Sequence, residues 1–234
     1  LDAFAIGDMW ATLMSDGLGY QRFAAQGGDW GARVTARLGL SHRDKVIGIH
    51  TTSTTSPTPY LGPGSRELSG AEKGLLQQRE KWLANEGGYS HIQSTKPQTL
   101  SYGLNDSPTG LAAWIVEKYR TWSDCGGDAE SRFTKDELLT TVTIYWVTQS
   151  INSSTRLYYE AFNKAWNLEK GEKIEVPVAV AAFPRENTVP LREWAERSYN
   201  IQHWTDMPSG GHFAAMEEPT RLVEDIRDFF RELR

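Results

Sequence analysis

The sequence predicts an α/β fold: a parallel sheet flanked by helices, with a helical block inserted into it. Three observations lead there. Short β-rich runs alternate with amphipathic helical runs at both ends of the chain, the pattern of a parallel sheet covered on its faces. Residues from about 68 to 162 are dominated by helical patterns, and they fall between the second and third strand-like runs. A knot of glycines, Gly27-Gly28-Asp29-Trp30-Gly31, separates a strand pattern from a helix pattern.

The elements follow in order. Residues 2–16 carry Ile6, Met9, Trp10, Leu13 and Met14 at helical spacing, and Gly17 and Gly19 end that helix. YQRFAAQ, residues 20–26, reads as a strand running into the knot, and residues 31–40 return to helical spacing. Lys45 to His50, KVIGIH, is a second strand, and residues 51–66, rich in Thr, Ser, Pro and Gly, form a loop. Helices are expected over residues 68–84, 108–122 and 135–162. Ser107-Pro108 opens the second and Thr134 to Glu137 caps the third. Val176 to Phe183 is a third strand, NIQHW (residues 200–204) a weaker fourth, and residues 219–233 a closing helix with Leu222, Ile226, Phe229, Phe230 and Leu233 inward. The expected organisation is a core part at 1–55, a helical cap at 56–170 and a second core part at 171–234.

Composition narrows the function classes. Of the 234 residues 39% are hydrophobic and 11% aromatic, which suits a packed domain and not a disordered chain. The net charge is −5 with no block of Lys and Arg, which argues against nucleic acid as a partner. No apolar run approaches the roughly 20 residues of a membrane span, and no signal peptide is visible, so a cytoplasmic location is expected. Cys125 is the single cysteine, and the five histidines form no HxxxH or HExxH pair. No metal and no cofactor is therefore expected.

The knot has the layout small-x-nucleophile-x-small of a nucleophile elbow, a turn so tight that large neighbours collide. Its apex, Asp29, would be thrust up at the carboxyl end of the sheet, and the N–H of Trp30 would point back to the reacting centre from a helix N-terminus. A carboxylate is ionised at neutral pH and attacks without a base. It can form an ester with an sp³ carbon, and a base is then needed only to hydrolyse that ester. Asp is also a common turn former, so the pentapeptide alone leaves a plain glycine turn open.

Two further residues complete a set. His212 follows two glycines in PSGGHFAAMEEP, before the closing helix, and Glu186 lies just past the third strand in AAFPRENTVP. The order Asp29, Glu186, His212 matches nucleophile, orienting acid and base, each after a strand end. A loop histidine and a solvated acid are the plain alternatives for each residue taken singly.

GGDWG, GGYSHIQSTKPQTLSYGLNDSPTGLAAWIVEKYRTWSD, INSSTRLYYEAF, AAFPRE and GGHFAAMEEP together resemble the microsomal-type epoxide hydrolases of the α/β-hydrolase fold. The resemblance runs over nearly the whole chain. It implies that Asp29 attacks the epoxide carbon, that His212 activates water and that Glu186 orients His212. It implies further that Tyr89, in GY-x-HIQ, and Tyr158, in SS-x-R-x-Y, hold the epoxide oxygen; Tyr159 is adjacent, but the motif register selects Tyr158. Trp30 N–H would be one of two oxyanion donors. The expected partners are a small lipophilic epoxide and water, with homodimerisation among the expectations. Trp82, Trp114, Trp122 and Trp146 fit a lipophilic pocket.

Members of this family carry a His-Gly-x-Pro loop before the elbow, and this sequence has none. The expectation is that the chain corresponds to the C-terminal portion of the α/β-hydrolase fold, its elbow strand at a sheet edge, and that it is weakly active or inactive by itself. A membrane anchor, found in some relatives, is not in this chain. Two rival readings remain: a hydrolytic haloalkane dehalogenase, which shares the Asp-Trp elbow, and a non-catalytic binding relative. The tyrosine motifs argue for the epoxide, because a departing halide needs no proton.

Overall fold

The computed structural model describes residues 1–162 and 164–233; Asn163 and Arg234, inside the expected cap and second core spans, lie outside the described residues. The chain runs α1 (Ala3–Thr12), β1 (Phe23–Gly27), α2 (Asp29–Ser41), β2 (Val46–Thr51), then α3 (Gly70–Glu86), α4 (Gly88–Thr95), α5 (Pro97–Asp106), α6 (Pro108–Trp122), α7 (Lys135–Thr148) and α8 (Ile151–Phe162). It closes with β3 (Ile174–Ala182), α9 (Arg192–Ala195), β4 (Tyr199–Asp206), α10 (Ala214–Glu217) and α11 (Pro219–Arg231). Two compact units result, one of residues 1–79 and 166–234, the other of residues 80–165.

In the first unit the four strands form a parallel sheet in the order β1-β2-β3-β4, so β1 and β4 are its edges. Successive residues of β3 serve opposite faces, as the two-residue period of a strand requires. Val178 and Val180 join a core with Ile49, Leu38 and Tyr199, while Ala179 packs on Phe229 and Phe230 of α11. Pro177 lies within β3 at a place where the register to β4 is irregular and pairing to β2 has not yet begun, so its missing N–H costs no ladder bond. The fourth strand, weak in the sequence, spans eight residues, because pairing with β3 supplies what its polar composition does not.

Two hydrogen-bonded clusters, each around a buried carboxylate, tie this unit together. The fully buried Glu72 is hydrogen-bonded by Arg197 at 2.5 Å and by Arg66 at 3.0 Å, which binds the segment before α3 to the start of β4. Arg197 above all, against the opposing effect of burial, holds the Glu72 carboxyl down at about 2. Residues 56–79, placed with the cap by the sequence, thus group with the sheet in the structure. At the other end, Asp225 of α11 pairs with His50 Nε2 at 2.9 Å and with His203 Nε2 at 2.8 Å. Burial would raise this carboxyl, but these partners and Thr205 hold it at about 2.

Helix α1 departs from expectation. It buries Ala3, Gly7 and Ala11, four residues apart, and leaves Met9 and Trp10 exposed, with Leu13 exposed just beyond it. A side chain at Gly7 would come within 2.8 Å of Arg37 Cγ, so the small face lets α1 lie close on α2. Met14 of the expected stripe does pack against the main core. Close backbone approach, and not apolar bulk, selects the buried face here.

The second unit is all-helical. Leu104, Leu111, Val142 and Ile151 form its core, with Trp114 and Trp146, both partly buried, packed against them. The expected helix over 135–162 is two: the chain turns at Gln149, whose φ of +52° is left-handed, and Ile151 starts α8. Helices α4 and α5 were not expected; Pro97 begins the second of them and separates the two. Among the described residues no helix is long and apolar enough to cross a membrane.

Candidate active site

The elbow is present as a physical object. β1 ends at Gly27, Gly28 is extended (φ −123°, ψ 168°), and Asp29 takes a φ of +48° as α2 begins. A left-handed non-glycine residue at a strand-to-helix turn is strained and is tolerated only where its surroundings hold it there. The small residues matter in a different pattern from the expected one. A Cβ at Gly27 would lie 2.3 Å from the carbonyl of Gly31 and 2.6 Å from Thr35 Oγ1; at Gly28 it would lie 2.6 Å from Thr52 Oγ1; at Gly31 it would meet nothing within 4 Å. The steric demand falls on Gly27 and Gly28, because the start of α2 lies over Gly27 and Thr52 lies over Gly28, while the outer face of Gly31 is open.

A contrast follows. Gly27→Ala is expected to destabilise the protein by about 1–3 kcal/mol, since backbone atoms must move. Gly31→Ala is expected to be neutral or to stabilise by up to about 1 kcal/mol through helix propensity. Thermal unfolding of the two variants checks this; equal losses would refute the assignment of the steric role to Gly27.

His212 and Glu186, the expected base and acid, reach the same end of the sheet. His212 follows β4 and Glu186 follows β3, and their loops are joined by a hydrogen bond from Arg185 N–H to Gly210 C=O at 3.1 Å. Gly210, at φ +100°, lies so close to Phe183 that a Cβ would approach its ring to 2.8 Å. His212 Nδ1 is 2.7 Å from Glu186 Oε1, and the same oxygen accepts the N–H of Asn187 at 2.8 Å. An ionised carboxylate only accepts, so Nδ1 carries the hydrogen. His212 Nε2 lies 3.8 Å from Asp29 Oδ2, an ion-pair separation. Burial opposes a charge on the ring, but the carboxylates of Asp29 and Glu186 outweigh it and raise the imidazole to about 10. Trp30 holds the second position of α2, whose first-turn N–H groups have no acceptor within the helix.

The two tyrosines belong to the helical unit, Tyr89 to α4 and Tyr158 to α8, and they meet edge to face with ring centroids 5.8 Å apart. Tyr159 is exposed. Around Tyr89 the structure adds two groups. Trp122 is 5.0 Å from its ring, and the Lys118 ammonium lies 4.7 Å above it. The sequence reading passes over Lys118, since a lysine on a helix is ordinarily solvated. It also passes over Glu217, whose carboxylate accepts the N–H groups of Gly211 and Phe213 at 3.0 Å each. The only sequence signal for Glu217 is an acid one helical turn after the histidine loop. Among the described residues no group of His, Cys, Asp and Glu is arranged to hold a metal ion.

A parallel sheet with a strained acid at a strand-to-helix elbow, and an acid–histidine pair on later strand ends, defines an α/β-hydrolase fold. Comparison with known proteins agrees. The structure superposes on the Aspergillus niger epoxide hydrolase with a TM-score of 0.82 at 30% identity, covering 100% of this chain and 58% of that one. It superposes on the juvenile hormone epoxide hydrolase of the silkworm Bombyx mori with a TM-score of 0.84 at 29% identity, covering 100% and 60%. In sequence it is 40% identical to a putative epoxide hydrolase of Stigmatella aurantiaca over 98% of this chain, and 39% identical to epoxide hydrolase 1 of Sus scrofa over 91%. No family model matches. The chain belongs to the epoxide hydrolase family, and it spans about half the length of the curated relatives it matches, 51% in both of those cases.

Proposed function

We propose that the whole protein opens a small lipophilic epoxide to a vicinal diol through an ester on Asp29. The observation that carries this is His212 held between two carboxylates, 2.7 Å from Glu186 and 3.8 Å from Asp29 at the apex of the elbow. In the first step an Asp29 oxygen attacks an epoxide carbon and the carbon–oxygen bond of the ring breaks. The alkoxide that leaves is strongly basic, and the phenols of Tyr89 and Tyr158 donate to it.

The resting charge state then explains the order of events. With its imidazole raised to about 10, His212 is protonated at neutral pH and is no base. Ester formation removes the Asp29 charge, so burial weighs more against the imidazolium and the ring gives up its proton. That proton restores the one the phenols delivered, and the net charge of the site is unchanged. His212 Nε2 now takes a proton from water, and the hydroxide adds to the ester carbonyl. The Trp30 N–H stabilises the oxyanion, and collapse of the intermediate releases the diol and the Asp29 carboxylate.

The paired tyrosines favour the epoxide over an alkyl halide, whose leaving group needs no proton. One turnover in ¹⁸O-water, with protein in excess over styrene oxide, tests the pathway. The diol is expected unlabelled and the Asp29 carboxylate labelled, because water attacks the ester carbonyl and not the substrate carbon. Label in the first-turnover diol would overturn the ester.

A further inference from the structure

The loop carrying His212 is held from behind by an acid that the reaction above does not use. Glu217, the last residue of α10, folds back beneath the loop with only 8% of its surface exposed. Its Oε2 accepts the N–H of Gly211 at 3.0 Å and its Oε1 the N–H of Phe213 at 3.0 Å. These residues immediately flank His212. On the other side, the Gly210 carbonyl is taken by Arg185 N–H. Glu218, next in sequence, holds Ser209 Oγ at 2.5 Å and Arg221 at 2.6 Å.

We infer that Glu217 is a positioning residue that fixes the backbone on both sides of His212 and so aims the imidazole for the hydrolytic step. This rests on the reading of His212 as the base. The chemistry explains why an acid stands here. Two backbone donors converge on one side chain, and a carboxylate meets both because it only accepts. A glutamine offers one oxygen and one NH₂, so one buried N–H would face another donor. An aspartate is a methylene too short to span both. Removing one of the two anchors lets the loop rotate, and errors of about 1 Å at a reacting group cost on the order of 10²-fold.

The two chemical steps separate this role from a purely structural one. Ester formation uses Asp29 and needs no base, whereas ester hydrolysis needs His212 aimed. In the whole protein, Glu217→Gln is expected to form the ester from styrene oxide within about twofold of the native rate and to hydrolyse it about ten- to a hundredfold more slowly. Rapid quench and mass spectrometry of the Asp29 peptide read both steps. In the steady state kcat and KM fall together while kcat/KM, set by the steps up to the ester, holds. In the unsubstituted protein the amides of Gly211 and Phe213 are expected to resist hydrogen exchange, a readout that needs no variant to fold. A variant that hydrolyses the ester at the native rate, one that loses both steps alike along with its thermal stability, or rapid exchange at both amides overturns the positioning role alone. A native protein that releases diol with no ester on Asp29 overturns the covalent reading and the inference with it.

Discussion

Asp29→Asn in the whole protein is expected to reduce diol formation by on the order of 10⁴-fold or more, the scale seen when a covalent nucleophile is removed. An amide oxygen is a poor nucleophile at carbon, and an amide nitrogen gives no ester that water can cleave. Folding should be spared, which makes the test clean. The apex residue takes a φ of +48°, and Asn visits that region as readily as any non-glycine residue. The fold should therefore be retained, with stability at neutral pH reduced only by the share of the His212 pairing that the Asp29 charge supplies. A second consequence reaches His212. With one of its two carboxylates neutralised, the ring loses part of what raises it to about 10, and an NMR titration of its C2 proton should move to lower pH. Turnover within tenfold of native would sink the covalent mechanism. An unmoved titration would sink the charge coupling between the two residues.

Why the sheet can bring three residues together is a matter of its parallel direction. Strands β1, β3 and β4 all point the same way, so the loops after them open at one end. Asp29, Glu186 and His212 come from positions far apart in the chain yet need only short loops to meet. This part was legible in the sequence because it depends on local signals: small residues at a tight turn, an acid after a β-rich run, glycines before a histidine. These three residues lie where periodicity breaks, and breaks are easy to see.

What the sequence did not reveal depends on contacts between distant segments. Nothing local marks Gly28 as more crowded than Gly31; that follows from Thr52 lying across the turn. Nothing in a run of Met, Trp and Leu says that α1 turns its small residues inward, since that is decided by Arg37 on the neighbouring helix. Glu72 is fully buried against expectation for a glutamate, and Arg66, the Ser69 N–H and Arg197, the last of them 125 positions away, make that burial tolerable. Glu217 is of the same kind. Its role comes from backbone N–H groups, which a sequence does not display.

His212→Gln is expected to separate the two halves of the reaction. Glutamine cannot take a proton from water, and loss of a general base slows its step by about 10²- to 10⁴-fold. Asp29 keeps its charge and its elbow, so the ester should form and then persist, and mass spectrometry should find substrate mass on the peptide bearing Asp29. The same substitution carries a signature in stability. Native His212 is raised from 6.5 to about 10, so the folded protein holds a proton that the unfolded chain releases at lower pH. That contribution is fully present below pH 6.5 and is lost as the pH climbs toward 10. The stability of the native protein relative to His212→Gln should therefore shrink across this window and level off on either side. Both effects spring from one arrangement, a buried imidazole between two acids. A parallel pH profile for the two proteins would show that the ring is not held protonated by Asp29 and Glu186. Hydrolysis at the native rate would show that water is activated elsewhere.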